Sequence, residues 1–117
     1  MPDYSAPLQQ MRFTIEHLAD FKNVAALQAY SAVDEDTVDA VLEEAGRFAS
    51  GVLAPTNSIG DRNGARVVDR AVQVPPEFTD AYARFSAGGW PGIAANPDFG
   101  GQGLPKTISI ACDEMWA

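Results

Sequence analysis

The strongest constraint on the fold of this chain is a run of apolar side chains at helical spacing between Val38 and Leu53. Charged side chains fall on the other faces of the same segment, as in an amphipathic helix. Asp34 to Asp36 place carboxylates where an N-cap and the positive end of the helix dipole favour them, and Pro55 is a stop signal. We therefore predict a helix from Asp36 to about Leu53. This helix must pack against other segments of the chain, because burial of its own apolar side chains does not offset the backbone entropy lost when the helix forms.

Three further segments have helical spacing and are separated by stretches rich in glycine and proline. Their apolar positions are Leu8, Met11, Ile15 and Leu18; Phe78, Tyr82 and Phe85; and Ile108, Ala111, Cys112, Met115 and Trp116. Ser5 is a candidate cap for the first of these helices, and Pro7 suits its first turn. Pro75-Pro76 begin the second helix and Gly88-Gly89 end it.

Residues 56–74 break the helical pattern. Asp61 to Gly64 are typical of a turn, and the valines that follow predict short extended pieces around 66–74. A loop is expected again from Gly88 to Pro105. The predicted fold class is all-α, with a single helical domain over residues 1–117.

The final segment has a start signal and no stop signal. Pro105 suits the N1 position, whereas no glycine follows the apolar stripe and no basic residue lies in the last turn. Asp113 and Glu114 instead lie at the negative end of the helix dipole. We therefore expect a helix that continues beyond Ala117, with an apolar stripe shaped to meet polypeptide outside this chain.

Charge and composition exclude several function classes. The net charge of −8 repels phosphate backbones and anionic lipid, so neither nucleic acid nor a membrane is an expected partner. The N-terminal residues lack the pattern of a signal peptide, and no apolar run approaches the length of a membrane span. A cytoplasmic location is expected. A single cysteine, Cys112, excludes an internal disulfide, and no cysteine or histidine cluster has zinc-ligand spacing.

The glycine cluster in residues 96–105, NPDFGGQGLP, raises the question of phosphate binding. A dinucleotide fingerprint requires a third glycine where Lys106 stands, and a preceding strand that the sequence does not predict. A P-loop also fails, since Gly103 is not followed by lysine and then serine or threonine. We interpret the cluster as a structural loop; an anion site at the start of the next helix is the alternative.

Other candidate site residues also have structural interpretations. His17 is the sole histidine and is expected on a helix surface without catalytic partners. Cys112 belongs to the apolar stripe, which favours an inert buried thiol. The run Asp34 to Asp36 lacks the glycine of a calcium-binding loop and favours helix capping. Trp90 and Trp116 are expected in a core or interface, and ligand contact is the alternative.

The segment from Gly89-Trp90 to Trp116 resembles flavin-dependent acyl-CoA dehydrogenases. The matching elements are the glycine-tryptophan helix end, the P-x-x-F-G-G-x-G-L pattern from Pro97 to Leu104, and Asp113-Glu114-Met115 in the following helix. Residues 4–13, 38–57, 60–65 and 74–90 are similar to the larger bacterial members in order and spacing. Asp69-Arg70 stands where these members commonly have Asp-Gly.

The resemblance implies the N-terminal helical domain of the acyl-CoA dehydrogenase fold, with the middle β and C-terminal helical domains absent. It implies FAD as cofactor, an acyl-CoA substrate, α,β-dehydrogenation by a glutamate base and the flavin, an electron-transfer flavoprotein as acceptor, and a homo-oligomer. The base and most flavin contacts belong to the absent domains. The resemblance therefore assigns no catalytic, cofactor-binding or metal-binding residue to this chain, and Glu114 is not the base.

Two functions follow as expectations. In the first, the chain shapes the acyl pocket and the domain interface of the dehydrogenase and is inactive alone. In the second, it is a free-standing helical protein-interaction module whose apolar stripes bind a partner.

Overall fold

The computed structural model describes residues 4–117, and helices dominate the architecture. The helices are α1 (Leu8–Phe13), α2 (Phe21–Ala25), α3 (Glu35–Phe48), α4 (Ala54–Asn63), α5 (Pro76–Ala87) and α6 (Lys106–Trp116). Two π turns, Thr14–Leu18 and Ala49–Leu53, extend α1 and α3, and short 3₁₀ turns are formed by Gln28–Tyr30, Trp90–Gly92 and Pro97–Phe99. The strands β1 (Arg66–Val68) and β2 (Ala71–Gln73) form an antiparallel hairpin. The all-α prediction with extended pieces around 66–74 is confirmed.

The core lies where α1 and α6 pack on α3. Leu42 of α3 and Ile108 of α6 are completely buried, and Cys112 lies beside them in the same cluster. Met11 and Ile15 cover this cluster from the first helix. The apolar positions predicted from helical spacing therefore do meet in one interior.

The long helix begins as predicted, at Asp34. The Asp34 carboxylate accepts hydrogen bonds of 2.8 Å from both the backbone N–H and the hydroxyl of Thr37. These bonds satisfy one free donor of the first turn and lower the pKa of Asp34 below its ordinary value of 3.8, the side-chain bond having the larger effect. The predicted Ser5 cap is wrong, because α1 begins after Pro7 without a side-chain cap.

The predicted stop at Pro55 is wrong, because the chain stays helical as far as Asn63. A π turn over Ala49–Leu53 precedes Pro55, which lies in the first turn of α4, where its missing N–H does least harm. The predicted turn at Asp61 to Gly64 is accordingly the last helical turn plus its C-cap. Gly64 has a positive φ of 62° there.

The hairpin turns through Asp69 and Arg70, both in the left-handed region with φ of 51° and 66°. Two consecutive left-handed residues are what a two-residue hairpin of favourable twist requires. In register, Val67 lies opposite Val72. Both strands are exposed along their whole length.

The apolar stripe of α6 is covered by other helices of this chain. Ile108, Cys112 and Met115 are buried, and Ala111 and Trp116 pack partly buried against the same core. The expectation that the stripe was shaped to meet polypeptide outside this chain is therefore wrong, because α3 and the π turn Ala49–Leu53 contact α6. Ile110, on the other side of α6, is exposed. Leu18 and Tyr82 are likewise exposed despite their helical spacing.

Candidate functional site

The backbone N–H groups of the glycine loop are hydrogen-bonded to nearby backbone carbonyls, so the loop does not form a phosphate-binding site. The backbone N–H groups of residues 100–104 all donate to carbonyls between Gly92 and Pro97, at 2.9–3.1 Å. A phosphate site needs such donors free and pointing at the ligand. Gly89, Gly100 and Gly103 adopt positive φ, which is the reason glycine is required there. The prediction of a structural loop is confirmed by this geometry.

One aromatic side chain of the loop stands apart from the core. Phe99 ends the 3₁₀ turn Pro97–Phe99 and is 88% exposed. The Asn96 side chain accepts from the Asp98 N–H at 2.9 Å and fixes the start of this turn. Phe99 is thus held outward by a loop that is hydrogen-bonded on itself.

An open groove of about 1050 Å³ runs between the α3–α4 junction and the end of α6. We call it the junction groove. Its apolar walls include Leu53, Phe78 and Met115, and Tyr4 and Ala65 also line it. The π turn Ala49–Leu53 supplies part of this wall, since Ala49, Ser50 and Leu53 line the groove. The junction groove is the candidate functional site because it joins four elements and is large enough for a ligand or a packed segment.

Trp116, which lines the junction groove, belongs to an aromatic cluster. Trp116 lies with its ring centroid 5.8 Å from that of Phe48, 5.5 Å from that of Phe85 and 5.2 Å from that of Trp90. The rings meet edge to face, the favourable arrangement for aromatic pairs. The prediction that both tryptophans fill a core or interface is supported by this packing. Helical spacing gave no sign that Phe48 and Phe85 join them.

The charged side chains of the junction groove are acidic. They are Asp61 and Glu114. Partial burial, and secondarily the Glu114 carboxylate, raise the pKa of the Tyr4 phenol. The groove therefore accepts apolar or cationic groups and disfavours phosphates.

His17 and Cys112, the two candidate nucleophiles or bases, lie apart from the junction groove. His17 is exposed, with Nε2 3.8 Å from the Glu16 carboxylate and its ring 4.7 Å from that of Phe13. Cys112 is buried in the core, and desolvation, with a smaller effect of Asp113, raises the pKa of its thiol to about 11. Both placements agree with the structural interpretations given above.

Arg12 is the residue that binds the acidic face of α3. Its Nη2 donates to Glu43 at 3.0 Å, and its Nε lies 2.7 Å from Asp39 as an ion pair whose N–H is not aligned for a hydrogen bond. Among residues 4–117, no group of histidine, cysteine and acidic side chains has the arrangement of a metal site. In the same range, every helix is too short or too polar to cross a bilayer.

Two curated proteins with acyl-CoA dehydrogenase activity in their names match nearly the whole chain. One is 3-methylmercaptopropionyl-CoA dehydrogenase of Ruegeria pomeroyi, 40% identical over 112 residues, which are 96% of this chain. The other is the broad-specificity linear acyl-CoA dehydrogenase FadE5 of Mycobacterium tuberculosis, 26% identical over 117 residues. No family model matches the sequence.

The resemblance to acyl-CoA dehydrogenases is thereby confirmed, and the chain is a homologue of these oxidoreductases. Among them it is similar to the 3-methylmercaptopropionyl-CoA enzyme at an identity that indicates common descent. The chain spans 19% of the length of each relative.

Proposed function

We propose that this chain is the N-terminal helical domain of an FAD-dependent acyl-CoA dehydrogenase. The observation that carries the proposal is the 40% identity to 3-methylmercaptopropionyl-CoA dehydrogenase over 96% of the chain. The all-helical fold with a small hairpin is consistent with it. The reaction would be α,β-dehydrogenation of an acyl-CoA thioester in the cytoplasm, with electrons passing to an electron-transfer flavoprotein.

Within that enzyme, the junction groove would form one wall of the acyl pocket and part of the domain interface. Its apolar walls suit an acyl chain or packed side chains, and its acidic side chains disfavour the phosphates of CoA. The chain's contribution is then exclusion of water and positioning. Both strengthen the electrostatic interactions that stabilise charge developing on the thioester.

The described residues do not fit the pyrophosphate of FAD. The amides of the glycine loop are bonded internally, and the charged side chains of the junction groove are acidic. Flavin binding and the catalytic base are therefore assigned to other domains of the proposed enzyme, and no residue of this chain is assigned a catalytic, cofactor-binding or metal-binding role. The chain alone is expected to be inactive.

Isolation of the native protein from its source tests the proposal. We expect an intact mass well above that of 117 residues, one reducible flavin per chain, and acyl-CoA dehydrogenase activity. The separate 117-residue polypeptide is expected to be colourless and inactive. A colourless native product of 117 residues with a stable protein partner contradicts the proposal and supports the free-standing interaction module.

A further inference from the structure

The first part of the described chain is tied to the rest of the fold by few polar contacts. We call residues 4–19, which contain α1 and the π turn Thr14–Leu18, the N-terminal strap. Among residues 4–117, no backbone hydrogen bond joins the strap to α3 or α6. In the same range, the side-chain hydrogen bonds and ion pairs that join the strap to another element are all made by Arg12. The polar attachment of the strap therefore depends on one residue.

Arg12 bridges two carboxylates of α3 that lie about one helical turn apart. Its Nη2 donates to Glu43 at 3.0 Å, and its Nε lies 2.7 Å from Asp39. Asp39 and Glu43 are at i, i+4 positions of one helix face, so their like charges repel each other when the arginine is removed. The Arg12 side chain is 31% exposed, so solvent screens this ion pair only in part. Arg12 thus has the properties of a latch between the strap and α3.

The strap covers the core and does not form its centre. Of the buried side chains in the core cluster, only Met11 and Ile15 belong to the strap, and the others belong to residues 21–115. The completely buried pair Leu42 and Ile108 is contributed by α3 and α6. Local opening is least costly where few apolar contacts are lost. Most contacts within the core would therefore survive if the strap opened.

A left-handed residue separates the strap from α2. Asp20, the N-cap of α2, has φ of 53° and ψ of 55°. A residue other than glycine occupies this region at an energetic cost, which is smaller for aspartate and asparagine than for most residues. The Asp20 carbonyl accepts the N–H groups of Asn23 and Val24 at 3.0 and 3.4 Å, so a new helix starts at the residue where the strap ends. Residues at the ends of elements are the ones that absorb the backbone rotation of a hinge.

We propose that the N-terminal strap is a conformational device that opens as a unit about Asp20 and is latched in its closed state by Arg12. Opening uncovers the side of the core on which Met11 and Ile15 lie, and it leaves the packing of α6 on α3 in place. It also removes Tyr4, which belongs to the strap, from the junction groove that this residue lines. The inference does not depend on the acyl-CoA dehydrogenase proposal.

Hydrogen exchange followed by mass spectrometry, on the native protein that carries this chain, tests the strap. We expect the amides of residues 8–18 to exchange together and faster than those around Leu42 and Ile108. Arg12→Gln should raise the exchange rate of the strap roughly 3- to 10-fold, as expected for loss of a partly buried ion pair, and should leave the core amides unchanged. Arg47→Gln is the matched control, because Arg47 is an exposed arginine whose ion pairs, with Glu43 and Glu44, lie within α3.

Further variants separate the latch from the hinge. Arg12→Glu should speed strap exchange more than Arg12→Gln, and adding Asp39→Arg should restore protection by re-forming the ion pair with its charges exchanged. Asp20→Val should also speed strap exchange, because a β-branched residue disfavours positive φ, and Asp20→Gly should speed it less. Circular dichroism melts verify that the variants stay folded.

Three results overturn the inference. The first is a strap whose amides are as protected as those of the core, since such a strap opens only when the whole fold does. The second is an Arg12→Gln variant that speeds exchange equally in strap and core, or no more than Arg47→Gln does. The third is failure of Asp39→Arg to restore protection to the Arg12→Glu variant, which shows that this ion pair is not the latch.

Discussion

Gly101 shows how a single residue fixes the glycine loop. A β-carbon at this position would overlap the carbonyl oxygen of Ala95. The same carbonyl accepts the N–H of Gly103, so it cannot move away without breaking the loop. The absence of a side chain is therefore required by close approach of two backbone segments, not by a ligand.

Substitution Gly101→Ala should lower the free energy of unfolding by roughly 1–3 kcal/mol, in the range of overpacked sites. Gly51→Ala is the matched control, because a β-carbon added there would meet no atom within 4 Å and the residue is helical. The control should be neutral or slightly stabilising. Urea unfolding of both variants makes the comparison, and equal stabilities would contradict the close contact.

Asp34 should make the folding stability of the chain depend on pH in the acidic range. Its pKa is lowered in the folded state by the bonds from Thr37, so its contribution is present above the unfolded value of 3.8 and is lost as pH falls through the lowered pKa. Asp34→Ala should therefore be less stable than wild type near neutral pH. Thermal melts against pH should show the difference shrinking below about pH 4.

Asp36→Ala is the control for the cap, since Asp36 lies in the first turn of α3 whereas the capping bond is accepted by Asp34. It should lose less stability than Asp34→Ala. A wild-type advantage over Asp34→Ala that persists unchanged at low pH would show that the carboxylate is not the cap.

Cys112 should react only when the chain opens. Its thiol is buried, and a pKa raised to about 11 leaves almost no thiolate at neutral pH. We expect labelling by a thiol reagent to be slow in buffer and rapid in denaturant. Fast labelling of the native chain, at the rate of a small-molecule thiol, would show that α6 does not cover this side chain.

At the scale of elements, α6 offers a comparison within one helix. Ile108 is completely buried against α3, and Ile110 is 58% exposed. Ile108→Ala should lower the free energy of unfolding by about 2–5 kcal/mol, because it leaves a cavity. Ile110→Ala should change it by less than about 0.5 kcal/mol.

Chemical unfolding of the two alanine variants measures this difference. Similar losses at both positions would mean that the inner face of α6 is not packed on this chain. The result also bears on the apolar stripe, which sequence spacing alone assigned to an external partner. Spacing identifies an apolar face correctly, but it does not say which surface covers it.

Four of the helices were predictable from the sequence, whereas α2 was not predicted and the interpretation of residues 56–63 as non-helical is wrong, because they belong to α4. The start at Asp34 and the extended pieces around 66–74 follow from capping chemistry and valine content, and the structure has both. The chain remains helical past Pro55 through the π turn Ala49–Leu53, and no local pattern marks such a turn. The junction groove depends on that turn, so it could not be located in advance.

The aromatic cluster illustrates the same limit. Trp90 and Trp116 were expected in a core or interface by residue type alone. Their contacts with Phe48 and Phe85 arise because α3, α5 and α6 converge there. Convergence of distant segments is a tertiary property, and a single sequence carries little information about it.

On the scale of the whole molecule, the chain is flat. Its extents are 53 × 36 × 18 Å and its radius of gyration is 16.6 Å, against roughly 13 Å for a compact domain of about 100 residues. A thin molecule has much surface for its volume, so its core is small. The hairpin lies outside that core.

Native-state hydrogen exchange should therefore be uneven along the chain. We expect the strongest protection at amides around Leu42 and Ile108 and the weakest in β1 and β2, because local opening is least costly where few apolar contacts are lost. Measurement at low protein concentration keeps intermolecular contacts out of the comparison. Uniform protection across hairpin and core would contradict a small central core.

The stiffness of the glycine loop has a consequence for Phe99. The backbone of the loop that follows Phe99 is fixed by hydrogen bonds from the N–H groups of residues 100–104. The ring of Phe99 lies almost wholly in solvent. Little backbone freedom would be lost if this ring made a contact, because the loop beneath it is already ordered. The backbone that carries this exposed ring is therefore preorganised, and loosening the loop would increase the freedom of Phe99 without altering the ring itself.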